Sequence, residues 1–171
     1  MSRFKLFAFI TLITLALGVA LVGDAMAGEK SKGRTVIYYV KWENLDAPGQ
    51  EKHLVALGEA KGISSILEGK DAGEVIVLHE VGIYDIDLKT GKGSGVTYGE
   101  GTDKAGNKYY YRNDGKRTAG QYWGSKWEGE VTYLGGTGKY EGVQGKGTVS
   151  SYPIAPMQVY GDWEADMEFA K

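Results

Sequence analysis

The chain has no cysteine, only three prolines and only two histidines in 171 residues. Without thiols there is no disulfide, no thiolate nucleophile and no cysteine-built metal site. His53 and His79 alone fall short of the three or four converging ligands that zinc needs, so no metal and no cofactor is expected. Long basic runs are missing as well, and the formal net charge is −2, which argues against nucleic acid as a partner. Beyond residue 27 there is no Asn-x-Ser/Thr glycosylation site, no sustained amphipathic helix period, and a single phenylalanine, Phe169.

What is abundant is glycine, 27 residues against a typical share of about 7%. Tyrosine and tryptophan, at 12 and 4, carry the aromatic content. Such rings have a polar handle and suit amphipathic walls.

Met1–Ala27 reads as a secretory signal. Arg3 and Lys5 start it, Leu6–Val22 is an almost unbroken apolar run, and Ala25-Met26-Ala27 supplies small residues for cleavage after Ala27. A bacterial protein that is periplasmic or secreted is expected, with no membrane insertion after cleavage. The rest, Gly28–Lys171, suits one domain; a chain of that length buries roughly 68% of its unfolded surface and needs no staples.

Period-two alternation runs through most of that domain. Gly28–Gly33 reads as a loose polar leader, followed by a strand over 34–43 in which Val36, Tyr38, Val40 and Trp42 share a face. Asn44–Gln50, with Asp46 and Pro48-Gly49, is turn chemistry. Residues 53–64 fit helix or strand; Gly58 and Gly62 each cost a helix about 1 kcal/mol, so strand is preferred. The segment 74–81 is β-branched strand, with His79 on the face of Val75, Val77 and Val81. Further strands are expected over 83–88, 94–102, 108–112 (closed by Asn113-Asp114-Gly115) and 126–134. Ala119–Ser125 is a looser connection, Tyr152-Pro153 to Pro156 breaks the pattern, and 158–169 is the longest strand. In the last, Val159, Gly161, Trp163, Ala165, Met167 and Phe169 must face the core; Trp127, Gly129, Val131 and Tyr133 follow the same logic. About eight strands at this spacing make an all-β sandwich or barrel.

Several apparent motifs fail on mechanism. Gly91-Lys92-Gly93-Ser94-Gly95 opens no helix, so it lacks the amides and dipole of a phosphate cradle. Gly138-Lys139-Tyr140 has no Ser or Thr after its lysine, and Asp85-Ile86-Asp87 is followed by Lys89 and Thr90 where a calcium loop needs oxygen ligands and glycine.

The most informative stretch is Leu134–Val149. Gly135, Gly136 and Gly138 suit a tight reversal, Tyr140 and Glu141-Gly142 follow, and Gly145 and Gly147 lie on the apolar face of a strand that can bend sharply. This Gly-Gly-Thr-Gly, aromatic, Glu-Gly, Gly-x-Gly run resembles that of the allene oxide cyclase and dirigent-like β-barrels, including bacterial relatives. A looser likeness extends from Val75 through Gly95, the Asp103–Lys108 turn and Tyr109–Arg112. The resemblance implies a single antiparallel barrel of about eight strands and a homo-oligomer, a trimer or a dimer.

Three functions follow. The first is an exported, non-enzymatic barrel that binds a small lipophilic or aromatic ligand, with Trp42, His79, Trp127, Tyr133 and Trp163 as candidate ligand-binding residues. The second, implied by the resemblance, is a cyclase or dirigent-like protein that steers a reactive molecule; no residue of this chain is assigned a catalytic role. The third is a structural envelope protein with a filled core. Inward carboxylates or arginines favour the second, an apolar empty cavity the first, and no cavity the third.

Overall fold

The computed structural model describes residues 28–45, 47–118 and 125–169; the Met1–Ala27 leader, Asp46 and most of the Ala119–Ser125 connection lie outside the described residues. Eight strands pair in chain order, each antiparallel to the next, and the last closes on the first. They are β1 (Glu29–Leu45), β2 (His53–Glu68), β3 (Val75–Asp87), β4 (Gly93–Thr102), β5 (Lys108–Arg117), β6 (Trp127–Gly136), β7 (Val143–Ala155) and β8 (Gln158–Phe169). The all-β barrel expected from sequence is the observed fold.

Several strands are longer than local chemistry indicates. Glu29–Gly33, expected as a loose leader, pairs residue by residue with β8, Glu29 opposite Met167 and Gly33 opposite Trp163. That makes β1 the longest strand at 17 residues, not β8 at 12. Likewise β3 runs straight through Gly82, β5 through Asn113-Asp114-Gly115 to Arg117, and β7 through Tyr152-Pro153 to Ala155. Ladder hydrogen bonds from a neighbour on each side outweigh the turn preference of one or two residues. The segment over 53–64 is strand, as preferred.

Glycines and aromatic rings pair across strands inside the barrel. Tyr111 lies opposite Gly99 and Tyr109 opposite Gly101 on β4, Tyr84 opposite Gly95, and Trp163 opposite Gly33. In each case a Cβ on the glycine would fall inside the van der Waals shell of that ring. The glycine content is therefore the seating for the aromatic content, with each large side chain lying across the space its neighbour leaves empty.

One end of the barrel is closed. At the end of β6 Gly135 (φ +128°) and just beyond it Gly138 (φ +59°) take left-handed conformations, and a 3-10 turn over Gly138–Tyr140 drives Tyr140 into the interior. There Tyr140 is 2% exposed and packs with Val143, Ala165, Met167 and the Tyr109 ring, whose centroid is 5.2 Å away. Lys139, next in the turn, ties three hairpins together. Its Nζ lies 2.7 Å from Glu74 and 3.1 Å from Asp71 in the β2–β3 turn, and 3.5 Å from Asp103 in the β4–β5 turn. Partial burial opposes the ammonium, but the bonds to Glu74 and Asp71 outweigh it and raise the Lys139 pKa. Burial likewise works to raise the Asp103 carboxyl. Hydrogen bonds from the Asn107 side chain and from the Asn107 and Ala105 amides, with the Lys139 charge, hold it below its ordinary value instead.

Gly99→Ala and Gly101→Ala should each lower unfolding stability by about 1–3 kcal/mol through ring displacement, whereas Gly106→Asn, in an open turn with φ +85°, should cost far less. Urea unfolding measures both; equal effects would contradict the seating role. Lys139→Met should cost about 1–2 kcal/mol, its contacts being partly solvated. It should also shift acid unfolding to higher pH. The contribution of Asp103, present above its unfolded pKa and lost as pH falls through the folded one, would then fail earlier.

Candidate functional site

The inward side chains divide the lumen into connected chambers. At the open end, Tyr39 and Trp42 from β1, Tyr84 from β3 and Trp127 from β6 form an aromatic rim. Tyr39 meets Trp42 edge-on at 5.1 Å, Trp42 stacks on Tyr84 at 5.2 Å, and Tyr84 meets Trp127 edge-on at 5.6 Å. Tyr39 Oη donates to Tyr84 Oη at 3.1 Å, which fixes the rim. With Leu54, Ile86, Leu88, Arg117 and Met157 these rings enclose about 310 Å³. A chamber of about 60 Å³ lined by Tyr84, Thr97, Asn113 and Trp127 lies deeper, and one of about 100 Å³ beyond it reaches Tyr109, Tyr133 and Trp163. Glu80, Asn113, Ile37 and Val149 line both inner chambers, so they stand where the two meet.

Glu80 is the acidic group at that junction. It comes from β3, on the face of Ile76, Leu78, Tyr84 and Ile86, and its Oε1 accepts a short hydrogen bond from Tyr111 Oη. Burial inside the barrel raises the Glu80 pKa above its ordinary 4.5, opposed in part by the Tyr111 bond and the nearby His79. Tyr111, enclosed and facing that carboxyl, is pushed well up. The pair thus holds its protons to higher pH than either group would in water. Asn113 stands beside it with a buried Oδ1 that has no hydrogen-bond partner. A buried amide oxygen left unpaired costs about 1–3 kcal/mol, and this one is packed against Gly129. At the floor, Trp163 Nε1 donates to Ser64 Oγ at 2.7 Å, and Thr35 Oγ1 donates to the same oxygen at 3.0 Å. That locks the Trp163 indole against one wall.

Four of the five aromatic or imidazole side chains singled out from sequence face the lumen. Trp42 and Trp127 sit at the rim, and Tyr133 and Trp163 at the floor. Trp42 arrives there by a route that alternation does not show. A bulge between Tyr39 and Lys41 changes the register of β1, so Tyr39 and Trp42 both point inward while Val36, Tyr38 and Val40 point out. His79 is the correction: it lies on the outer wall, with Nε2 3.0 Å from Glu59 Oε1. On the same strand pair His53 stands opposite Asp87 and His79 opposite Lys61, so the two histidines lie at different heights of the wall. Among the described residues no three His, Asp or Glu side chains converge as a metal site.

Glu80, Tyr111 and Asn113 as a polar cluster were not legible in advance. Both faces of β3 are apolar, Val75, Val77, Val81 and Ile83 on one and Ile76, Leu78 and Ile86 on the other. The available signal was a carboxylate alternating with Leu78 and Tyr84, opposed by an imidazole alternating with three valines. Asn113 begins an Asn-Asp-Gly run with turn chemistry, although β5 continues through it.

If folding holds the Glu80 proton, stability falls as pH rises through the interval between its unfolded and folded pKa values, because the unfolded chain releases the proton first. Glu80→Gln, which keeps an acceptor for Tyr111, should remove this slope. The variant and the parent should unfold alike near pH 4, with the variant gaining stability over the parent towards pH 8. Parallel curves from urea unfolding across that range would show that Glu80 is not so perturbed.

No known family's sequence profile matches the chain, and no curated protein matches it in sequence. Among solved structures, the fold is similar to that of a pterocarpan synthase dirigent protein. The TM-score is 0.52 at 13% identity, over 88% of this chain and 96% of that one. At such identity the likeness is one of fold.

Proposed function

We propose that this protein is an exported barrel that takes a small, flat lipophilic or aromatic molecule through the Trp42–Trp127 rim and holds it against Glu80, Tyr111 and Asn113. The single observation that carries this is the continuous run of chambers leading from an aromatic opening to one polar cluster, in a barrel shut at the other end. The rim chamber alone, at about 310 Å³, is at the lower bound of ligand pockets, roughly 300 Å³, and the inner chambers admit one ring or a narrow tail. Such space speaks against a filled, purely structural core. Export rests on the leader pattern of Met1–Ala27.

A second reading is favoured by one feature. An inward carboxyl whose pKa burial raises is the kind of group that, in its acid form, hydrogen-bonds to a carbonyl or quinone-like oxygen and protonates it as charge develops, which is what steering a ring closure or coupling asks of a site. The similar solved structure is named as a pterocarpan synthase, so ring formation is the reaction class to examine. Both readings place the ligand in one cavity and differ in whether it leaves changed.

Native mass spectrometry of the mature protein from its own host, followed by denaturation, should release one small molecule per chain. For the purified protein, quenching of tryptophan fluorescence by phenol- and indole-sized fragments should saturate. Asn113→Leu and Glu80→Gln should weaken it about tenfold, the worth of one charged or well-buried hydrogen bond. Fragments that bind Asn113→Leu as tightly as the parent would place the ligand elsewhere. Recovering a fragment chemically altered, with Glu80→Gln abolishing the change, would select the second reading.

A further inference from the structure

The two ends of the lumen carry opposite charge chemistry. On β5 the inward face runs through Tyr111, Asn113 and Gly115 and ends on Arg117 at the mouth. Arg117 stands opposite Gly93 on β4 and Trp127 on β6, and lines the rim chamber with Trp42 and Tyr84. Among the described residues that line the three chambers it is the one cation. No Lys, Arg or His borders the two inner chambers, where Glu80 stands at the junction, and no Asp or Glu borders the rim chamber.

The guanidinium is held in place at the mouth. Its Nη1 donates to the Gly91 carbonyl in the β3–β4 turn. That turn is stiffened by Asp87, whose carboxylate accepts from the amides of Lys89 and Thr90 and from the Thr90 hydroxyl. Fixing a carbonyl needs only a neutral donor. A full positive charge between aromatic walls, where water screens it less, also attracts an anion, and the planar guanidinium matches a carboxylate in particular.

The neighbouring rings say what that carboxylate is attached to. Trp42 stacks on Tyr84 with 26° between their planes, and Trp127 meets Tyr84 edge-on, so ring faces and ring edges share the chamber with the cation. A flat aromatic body gains from such offset and edge-on contacts where an alkyl chain gains only burial. Charge then sets the direction of entry. The inner chambers hold an acid and no cation, so the anionic end stays at the mouth and the ring leads inward.

We infer that Arg117 sets the class of ligand: the lumen takes a flat aromatic carboxylate, its ring at the Trp42–Trp127 rim and its carboxylate on the Arg117 guanidinium. This rests on the ligand-binding reading of the lumen and adds to it the charge of the ligand. Isothermal titration of the mature protein at neutral pH with 2-naphthoate and with its neutral amide, 2-naphthamide, tests it. The parent should bind the carboxylate at least about tenfold more tightly, the worth of a hydrogen bond between charged groups. Arg117→Gln, which keeps a donor for Gly91, should remove that preference while the amide binds as it does to the parent. The preference is a ratio taken within one protein, so a partly folded variant does not obscure it. In the parent alone, raising salt from about 20 to 500 mM should weaken the carboxylate severalfold and leave the amide unchanged. A parent that binds both probes alike overturns the inference and leaves the ligand-binding reading standing, as does a preference that survives Arg117→Gln. A parent that takes up neither probe defeats that reading and this inference with it.

Discussion

The seating of aromatic rings over glycines on the adjacent strand is the constraint on which the rest of this barrel depends. A small closed barrel has little interior, and Tyr84, Tyr109, Tyr111 and Trp163 together would overfill it if every opposing position carried a Cβ. Gly95, Gly101, Gly99 and Gly33 remove that conflict one pair at a time. The rings then lie flat against the neighbouring strand rather than across the lumen. The same device that packs the wall therefore leaves the chambers open.

Ring position in turn determines chemistry. With Tyr111 laid over Gly99, its hydroxyl reaches Glu80, the partner of Gly99 on β3, and burial raises the pKa of that carboxyl while the hydroxyl's bond opposes the rise. With Tyr140 drawn into one end and Lys139 binding three hairpins there, access is through the Trp42–Trp127 rim at the other. The molecule is thus a blind tube with its polar cluster partway down. Its outer surface is set by the other residues of the same strands, where aliphatic side chains such as Ile63 and Val77 are interleaved with Glu59, Lys61 and His79.

How legible this was in the chain varied by strand. The faces of β6, β7 and β8 followed directly from alternation, because one side is polar and the other apolar, and Trp127, Tyr133 and Trp163 were placed inward on that ground. In β1 a bulge broke the alternation midway, and in β3 it had no polar side to read. Hence alternation alone points His79 into the lumen that Glu80 in fact faces. Strands run past local turn chemistry where glycine, proline or Asn-Asp-Gly sits inside a strand held by both neighbours.

By itself, the sequence determined the all-β class, the approximate strand number, the Gly-rich reversal at Gly135–Gly138 and the inward faces of three strands. All of these are written in local turn chemistry and period-two patterning, which need no partner to be read. Only the tertiary structure decided the closure of β8 on β1, the inward turn of Trp42, the choice between His79 and Glu80, and the exposure of the β1–β3 wall. Each depends on register between strands distant in the chain, and a shift of one residue exchanges every side chain between lumen and solvent.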